Sequence, residues 1–416
     1  MQFGLKNESW GWYVVLASFL IIGVNYGARY SFGIFLKPMA ISYGWSRSVV
    51  SIGSTINMLC YGISVIYIGR LVDKFAPKWI ITVGSVLVAC GLFLATIADT
   101  PMLFYLAYGF LCGIGSSGMS MVVCNSSVGK WFQKNRGLAI GITTMGISFG
   151  SLGLAAVSAV AISAYDWRVG YCFIGFMILL IGISFSQMFM GRKSPVTYEY
   201  LQKKRNISVP GNYCSTKEKS FAGNKSFVIL AICYSLVMLS QMASFTHQVP
   251  YATDMGIDEI DAAFSIGILG ISSSMGQFCF GWLCDRISDS KYSAFIGFII
   301  MAIGTLILIR VSNAFDMYLY AAVYGLGYGS FAPMLGILSA EYFGVGNLGK
   351  VYGLLTFFVC VGGSLGPIIG GAIYDMSGTY IYLWYLNIFI LAFVSLLILG
   401  LKKRELYRQA VIELES

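Results

Sequence analysis

Twelve apolar stretches, each long enough to cross a bilayer, take up almost all of this 416-residue chain. A membrane-crossing helix needs roughly 20 mainly apolar residues, because each residue advances ~1.5 Å through a hydrocarbon core ~30 Å thick. The stretches lie near 11–35, 47–70, 79–98, 102–128, 137–163 and 169–190, then near 226–252, 261–283, 292–311, 315–340, 348–374 and 380–401. No water-soluble fold needs such a layout, and 57% hydrophobic against 11% charged residues argues the same way. The chain is expected to be an all-α polytopic membrane protein of twelve transmembrane helices.

A net charge of +9 would suit a nucleic-acid partner, but its placement excludes one. With the N-terminus inside, the cytoplasmic segments hold 22 of the 27 Lys and Arg, and the outer side keeps Arg29, Lys37, Arg47, Arg168 and Arg310. That bias predicts both termini in the cytoplasm of a multi-pass protein of the plasma or inner cell membrane. The ten cysteines are scattered without a CxxC pair, as small packing residues are. No cleavable leader is expected, because the apolar stretch after Ser9 is too long for a signal-peptide core.

Residues 191–225 are the one long polar interruption, with Lys203-Lys204-Arg205 and Pro210-Gly211, and read as a flexible cytoplasmic linker. It divides the chain into an N-terminal six-helix bundle (1–190) and a C-terminal one (226–401), with a short tail at 402–416. The halves echo each other 212 positions apart. Gly69-Arg70-Leu71-Val72-Asp73-Lys74 answers Gly281-Trp282-Leu283-Cys284-Asp285-Arg286, Gly141 answers Gly353, and Gly150 answers Gly362. Parallel six-helix repeats related by an axis along the membrane normal are a transporter plan that puts the substrate near mid-membrane between the halves.

Three further motifs narrow the comparison. They are Trp10-Gly11-Trp12 at the first span, Trp131-Phe132-Gln133-Lys134-Asn135-Arg136-Gly137-Leu138-Ala139 before the fifth, and Gly362-Gly363-Ser364-Leu365-Gly366-Pro367 in the eleventh. Together with the segment from Gly69 to Lys78 they resemble the major facilitator superfamily, in its monocarboxylate transporter and oxalate/formate antiporter-like branch. The resemblance implies two pseudo-symmetric bundles and transport by alternating access. Gly69 permits close helix approach, and Asp73 is positioned to meet helix-terminal dipoles and basic groups, with Arg136 as its expected partner. Asp285 and Lys350 form the expected counterpart in the second half. The doubled motif reads as a latch for the outward-open state, against a plain solvated turn.

Ionisable residues inside spans are costly and so mark function. Within these spans only Arg29 and His247, the sole histidine, stand out. Arg29 either snorkels to the outer headgroups or faces the substrate; His247 is either an interfacial side chain or a cavity group able to titrate near neutral pH. The resemblance favours the second reading for His247 and places Tyr328 against substrate, as in bacterial lactate carriers. The branch also carries an arginine eight residues before the second acidic motif residue, and here that position is Gln277. Gln277 and Ser273 share a helix face and can donate hydrogen bonds to a carboxylate without neutralising it. The lysine typical of oxalate carriers is also missing from Phe357-Phe358-Val359-Cys360. Asn25, Asn57 and Ser116 complete the substrate-binding candidates, with Tyr26, Tyr61, Ser117 and Tyr380 behind them.

The leading expectation is a secondary carrier of small organic anions of the lactate or pyruvate type, with a coupling proton. Its other partner is the lipid bilayer, its working unit is a monomer, and it needs no cofactor or metal. An oxalate/formate-type exchanger, a carrier of neutral or zwitterionic solutes, and a transporter-like sensor stand as alternatives. No nucleophile–base pair or nucleotide loop suggests an enzyme.

Overall fold

The computed structural model describes residues 2–45, 47–132, 134–192, 224–345 and 348–402. Most of the expected linker (193–223) and of the tail (403–416) falls outside them. Among the described residues every element is helical. Twelve segments are long and apolar enough to span a membrane: α1 (Trp10–Leu36), α2 (Val49–Lys74), α3 (Pro77–Thr96), α4 (Pro101–Gly129), α5 (Arg136–Ile162), α6 (Trp167–Phe189), α7 (Lys225–Asp254), α8 (Ile260–Cys284), α9 (Lys291–Ile309), α10 (Ala314–Phe343), α11 (Leu348–Ser377) and α12 (Ile381–Leu399). This is a multi-pass membrane protein, and each span lies within a few residues of its expected place.

Lipid tails are as apolar as leucine, so helices in a bilayer associate by close packing, and small residues set where they touch. In the N-terminal half α1 crosses α5 at Gly23 and Gly27 against Gly146 and Gly150, and a Cβ on Gly27 or Gly150 would fall onto the facing backbone. In the C-terminal half α7 crosses α11 with Ser235 and Leu239 against Gly362 and Gly366. Ser235, Leu239 and Gly362 stand 212 positions after Gly23, Gly27 and Gly150, so the faint sequence echo is a repeated helix crossing.

The halves meet along two seams. On one, α2 brings Gly69 against Gly349 and Gly353 of α11; on the other, α5 brings Gly137 and Gly141 against Gly281 and Gln277 of α8. Gly137, Gly141 and Gly69 again precede Gly349, Gly353 and Gly281 by 212. The two seams are therefore copies of one contact with the roles of the halves exchanged.

The Trp10-Gly11-Trp12 motif ties three segments together. Trp10 donates its indole N–H to the Phe189 carbonyl (3.2 Å) at the end of α6 and lies 3.6 Å beneath the Arg192 guanidinium. Trp12 meets the Phe132 ring edge-on at 5.1 Å, and Gly11 leaves room for that ring.

Candidate functional site

Arg29 is the penultimate residue of the long first helix, Gln2–Tyr30. Its guanidinium carbon lies 4.1 Å from the centroid of the Tyr61 ring on α2 and 5.9 Å from that of Tyr26. The two phenols hydrogen-bond each other at 2.9 Å, which holds both rings as a platform. Arg29 is half-buried, and its electrostatic neighbours are Tyr61, Tyr26, Tyr30 and, from the other half, Cys360 of α11. Gly62 brings α2 to the Cys360 side chain at this level. Tyr30 keeps 52% of its surface open, and Tyr328 of α10 lies within electrostatic reach of Tyr30 and Tyr26. Arg29 thus faces the space between the halves and not the headgroups. Among the described residues no carboxylate lies at ion-pair distance from it.

That arrangement has an energetic reading. A cation–π contact recovers about 2 kcal/mol when desolvated, whereas a charge removed from water costs several kcal/mol unless paired. Tyrosine faces leave the planar donor fork of Arg29 unspent, and that fork matches a carboxylate in two parallel hydrogen bonds.

His247 sits elsewhere. It is 8% exposed, its Nε2 is 3.1 Å from the Pro367 carbonyl oxygen of α11, and its ring lies 5.0 Å from that of Tyr380. A carbonyl only accepts, so Nε2 carries the hydrogen. Gly370 makes room for the ring, which braces α7 on α11 inside one bundle. His247 is thus set apart from Arg29, with its Nε2 engaged by the Pro367 carbonyl. His247→Gln is expected to lower the thermal unfolding midpoint, by about 1 kcal/mol of stability for one lost hydrogen bond, and to leave pH-driven uptake within about threefold. Loss of uptake with an unchanged melting point would return His247 to the transport path.

Asn25 and Asn57 are also helix braces. Asn25 donates its amide to the carbonyls of Ser116 (3.1 Å) and Met119 (3.3 Å) on α4, and Asn57 donates to the Tyr108 carbonyl (2.9 Å). Tyr108 belongs to a π-helical turn, Tyr105–Leu111, whose widened backbone presents that carbonyl to α2. Ser116 takes part through its backbone oxygen, with the residue 1% exposed. Asn25 therefore spends both amide hydrogens, and Asn57 one of its two, inside the N-terminal bundle.

Gln277 and Ser273 are brought together, and they lie on the seam. The Gln277 amide nitrogen is 3.4 Å from Ser273 Oγ and 3.4 Å from Ser148 Oγ of α5, across the halves. Its carbonyl oxygen Oε1 is buried without a partner.

At the end of the molecule where α2 finishes, Asp73 accepts from the backbone N–H groups of Gly349 (3.3 Å) and Lys350 (3.0 Å) at the start of α11, and from Lys130 Nζ (3.2 Å). Asp285, just past the end of α8, accepts from the N–H groups of Gly137 and Leu138 at the start of α5, both at 2.8 Å. Where Arg136 is the expected partner of Asp73, the ion pair is with Lys130 of the same half, and where Asp285 is expected to meet Lys350, both acids instead cap the helix start of the opposite half through backbone N–H groups. The reason is that the first turn of a helix offers unsatisfied N–H donors and the positive end of its dipole, two donors per carboxylate. Arg136 gives its Nε–H to the Phe132 carbonyl at 3.0 Å, and Lys350 contributes its backbone N–H. Gly69 and Gly281 allow the helix approach that brings each acid within reach.

Asp73→Asn removes a charge-assisted pair worth about 1.5 kcal/mol, roughly tenfold in a conformational equilibrium; Asp285, more exposed, counts for less because water screens it. The double variant Asp73→Asn with Asp285→Asn is expected to raise alkylation of Cys284, which is 8% exposed beside Asp285, about tenfold or more by mass spectrometry. Unchanged labelling would leave the crossed caps without a latching role.

Tyr30, Cys360 and Lys130 escaped the sequence reading. One tyrosine among 27 and one cysteine among ten carry no individual signal, and only the adjacency of Tyr30 to Arg29 hinted at its place.

Comparison with known proteins agrees with this architecture. The sequence model described as Major Facilitator Superfamily matches residues 18–292 and 230–414. The chain is 27% identical over 431 residues to monocarboxylate transporter 12 of Xenopus laevis, covering 95% of this chain and 89% of that protein. It is 25% identical over 403 residues to monocarboxylate transporter 2 of Homo sapiens, covering 91% and 82%. The uncharacterized MFS-type transporter YcxA of Bacillus subtilis (strain 168) is 25% identical over 379 residues, covering 89% of this chain and 90% of that one. Among solved structures, the transporter FucP in the outward conformation superposes with a TM-score of 0.70 at 15% identity, covering 93% of this chain and 97% of FucP. The proton:xylose symporter XylE, bound to 6-bromo-6-deoxy-D-glucose, superposes with a TM-score of 0.74 at 14% identity, covering 94% and 95%.

Proposed function

This chain belongs to the major facilitator superfamily of membrane transporters, and from that premise we propose that it is a secondary carrier of small organic monoanions, with the carboxylate held by Arg29. The observation that carries the reading is the Arg29 guanidinium, half-buried between the halves, platformed by Tyr61 and Tyr26, and without a carboxylate partner among the described residues. A site built around one unpaired cation is electrostatically complete only when an anion of one charge enters. A dianion would need a second positive group, and the electrostatic neighbours of Arg29 are all phenols and a thiol. The relatives named as monocarboxylate transporters support the same class.

The carrier works by rocking one bundle against the other along the two glycine seams, with the crossed caps of Asp73 and Asp285 holding one end shut. A coupling proton makes uptake of the acid electroneutral, and the cell membrane with both termini in the cytoplasm is the orientation that the basic segments support. Purified protein in liposomes should accumulate labelled lactate or pyruvate when the outside is acidified, and much less without the gradient. Strong counterflow with no pH dependence would make it an exchanger instead. No uptake of any monoanion would remove the assignment and leave the carrier fold.

A further inference from the structure

Basic and aromatic side chains meet where the end of α6 adjoins the starts of α1 and α3. Arg192, just past the end of α6, holds its guanidinium 3.6 Å above the Trp10 ring, and the Lys78 ammonium lies 5.1 Å from the Trp79 ring centroid. A Cβ added to Gly191 would lie 3.5 Å from Lys78 Nζ, so both cations border the same turn of chain. Among the described residues neither has a hydrogen-bond acceptor, nor a carboxylate at ion-pair distance. The repeat supplies a contrast. Leu399, Leu401 and Lys291 stand 212 positions after Gln187, Phe189 and Trp79. At that second corner Lys291 donates to the carbonyls of Leu399 (3.3 Å) and Leu401 (2.9 Å) and pairs with Asp289 (3.7 Å). In the N-terminal half the neutral Trp10 indole takes the Phe189 carbonyl instead, and the two cations are left over. A ring face attracts a cation but leaves the donor fork of Arg192 open.

We propose that this corner binds the headgroup of an anionic phospholipid, with Arg192 and Lys78 donating to its phosphate. The surroundings favour a lipid over a soluble anion. Tyr13 and Trp79 keep 50% and 58% of their surface open near the ends of membrane-spanning helices, where amphipathic rings sit at headgroup level. Tyr13 stacks on Phe189 with ring centroids 5.6 Å apart, which gives an acyl chain an apolar wall beside the charges. The start of α3 adds the positive end of its dipole, and Ala76 at its cap supplies no competing side-chain acceptor. Basic pockets between spans at the membrane surface suit such headgroups, and an arginine fork matches phosphate oxygens in two parallel hydrogen bonds. A zwitterionic lipid brings its own ammonium toward the second cation, so net negative charge is the property selected. The bound lipid bridges α1, α3 and α6 and braces the N-terminal bundle, whichever solute the carrier moves.

The test offers the full chain, in detergent, an equimolar mixture of phosphatidylglycerol and phosphatidylcholine of the same acyl chains, and reads the retained lipid by native mass spectrometry. Each cation near an anionic headgroup contributes a factor of about five, so the first retained lipid should be phosphatidylglycerol by about twentyfold. Added phosphatidylglycerol should also raise the thermal unfolding midpoint more than phosphatidylcholine does. Lys78→Gln with Arg192→Gln should bring the two lipids to within about twofold of each other and abolish that extra rise, with an unchanged midpoint in phosphatidylcholine alone. Lys78→Arg with Arg192→Lys keeps both charges and should keep most of the preference. Arg286, whose guanidinium lies 4.3 Å from the Trp282 ring at the same end of the other half, is the control for a lone cation on an aromatic face. Arg286→Gln should leave the preference as it is. Equal retention of the two lipids by the wild type overturns the proposal, as does a preference that survives the double glutamine variant or is lost in the charge-conserving one. Displacement of the lipid by millimolar inorganic phosphate or glycerol phosphate would make the corner a site for soluble anions and would overturn the lipid assignment.

Discussion

Arg29→Gln should lower uptake of a labelled monocarboxylate in proteoliposomes by more than about a hundredfold, while the variant inserts and unfolds like the wild type. Truncating one partner of a desolvated, hydrogen-bonded charge pair costs about 2–5 kcal/mol or more, and about 2.8 kcal/mol is already two powers of ten in affinity. Glutamine keeps some hydrogen-bonding capacity and loses the charge, so the loss measures neutralisation. Stability should hold, because the substitution removes a half-buried cation that sits on tyrosine faces without a carboxylate partner among the described residues. Arg29→Lys should recover only part of the activity, since an ammonium cannot bind a carboxylate through two parallel donors. Wild-type uptake by a correctly inserted Arg29→Gln protein would end the anion assignment.

Gly150→Leu should prevent the N-terminal bundle from closing. A Cβ at Gly150 would fall onto the backbone of Gly23, and backbone cannot yield as a side chain can. Overpacking costs about 1–3 kcal/mol where neighbours relax; here α1 and α5 must part along the whole crossing, so the expected loss exceeds about 3 kcal/mol and appears as aggregated or degraded protein. Gly153, three residues on, provides the control. Nothing lies within 4 Å of its added Cβ, so Gly153→Leu should fold and run as a monodisperse peak in size-exclusion chromatography. Equal behaviour of the two variants would mean that the α1–α5 contact does not hold the bundle together.

The glycines illustrate how much the sequence disclosed. Gly141, Gly150, Gly353 and Gly362 are visible as an interval of 212, but nothing in the interval says which helices they join. The structure makes Gly150 and Gly362 packing points within the halves, and Gly141 and Gly353 packing points between them. Asp73 and Asp285 were legible as a repeated acidic position, and their partners were not. A carboxylate at the end of one helix has no means of announcing that it caps a helix of the opposite half, 277 residues away for Asp73. His247 drew attention as the sole histidine, yet that rarity reflects composition and not placement.

Membrane crossing, span number and the doubling of the bundle could be read directly from the chain, because transfer into hydrocarbon is decided within each window of some twenty residues and repetition is a property of the string. The placement of Arg29 between the halves, the bracing roles of His247, Asn25 and Asn57, and the crossing of the two acidic caps were settled only by folding. Each depends on which face of a helix meets which neighbour. In a bilayer every face is apolar enough to meet lipid, so backbone approach at a few glycines decides the pairing and no local pattern records it.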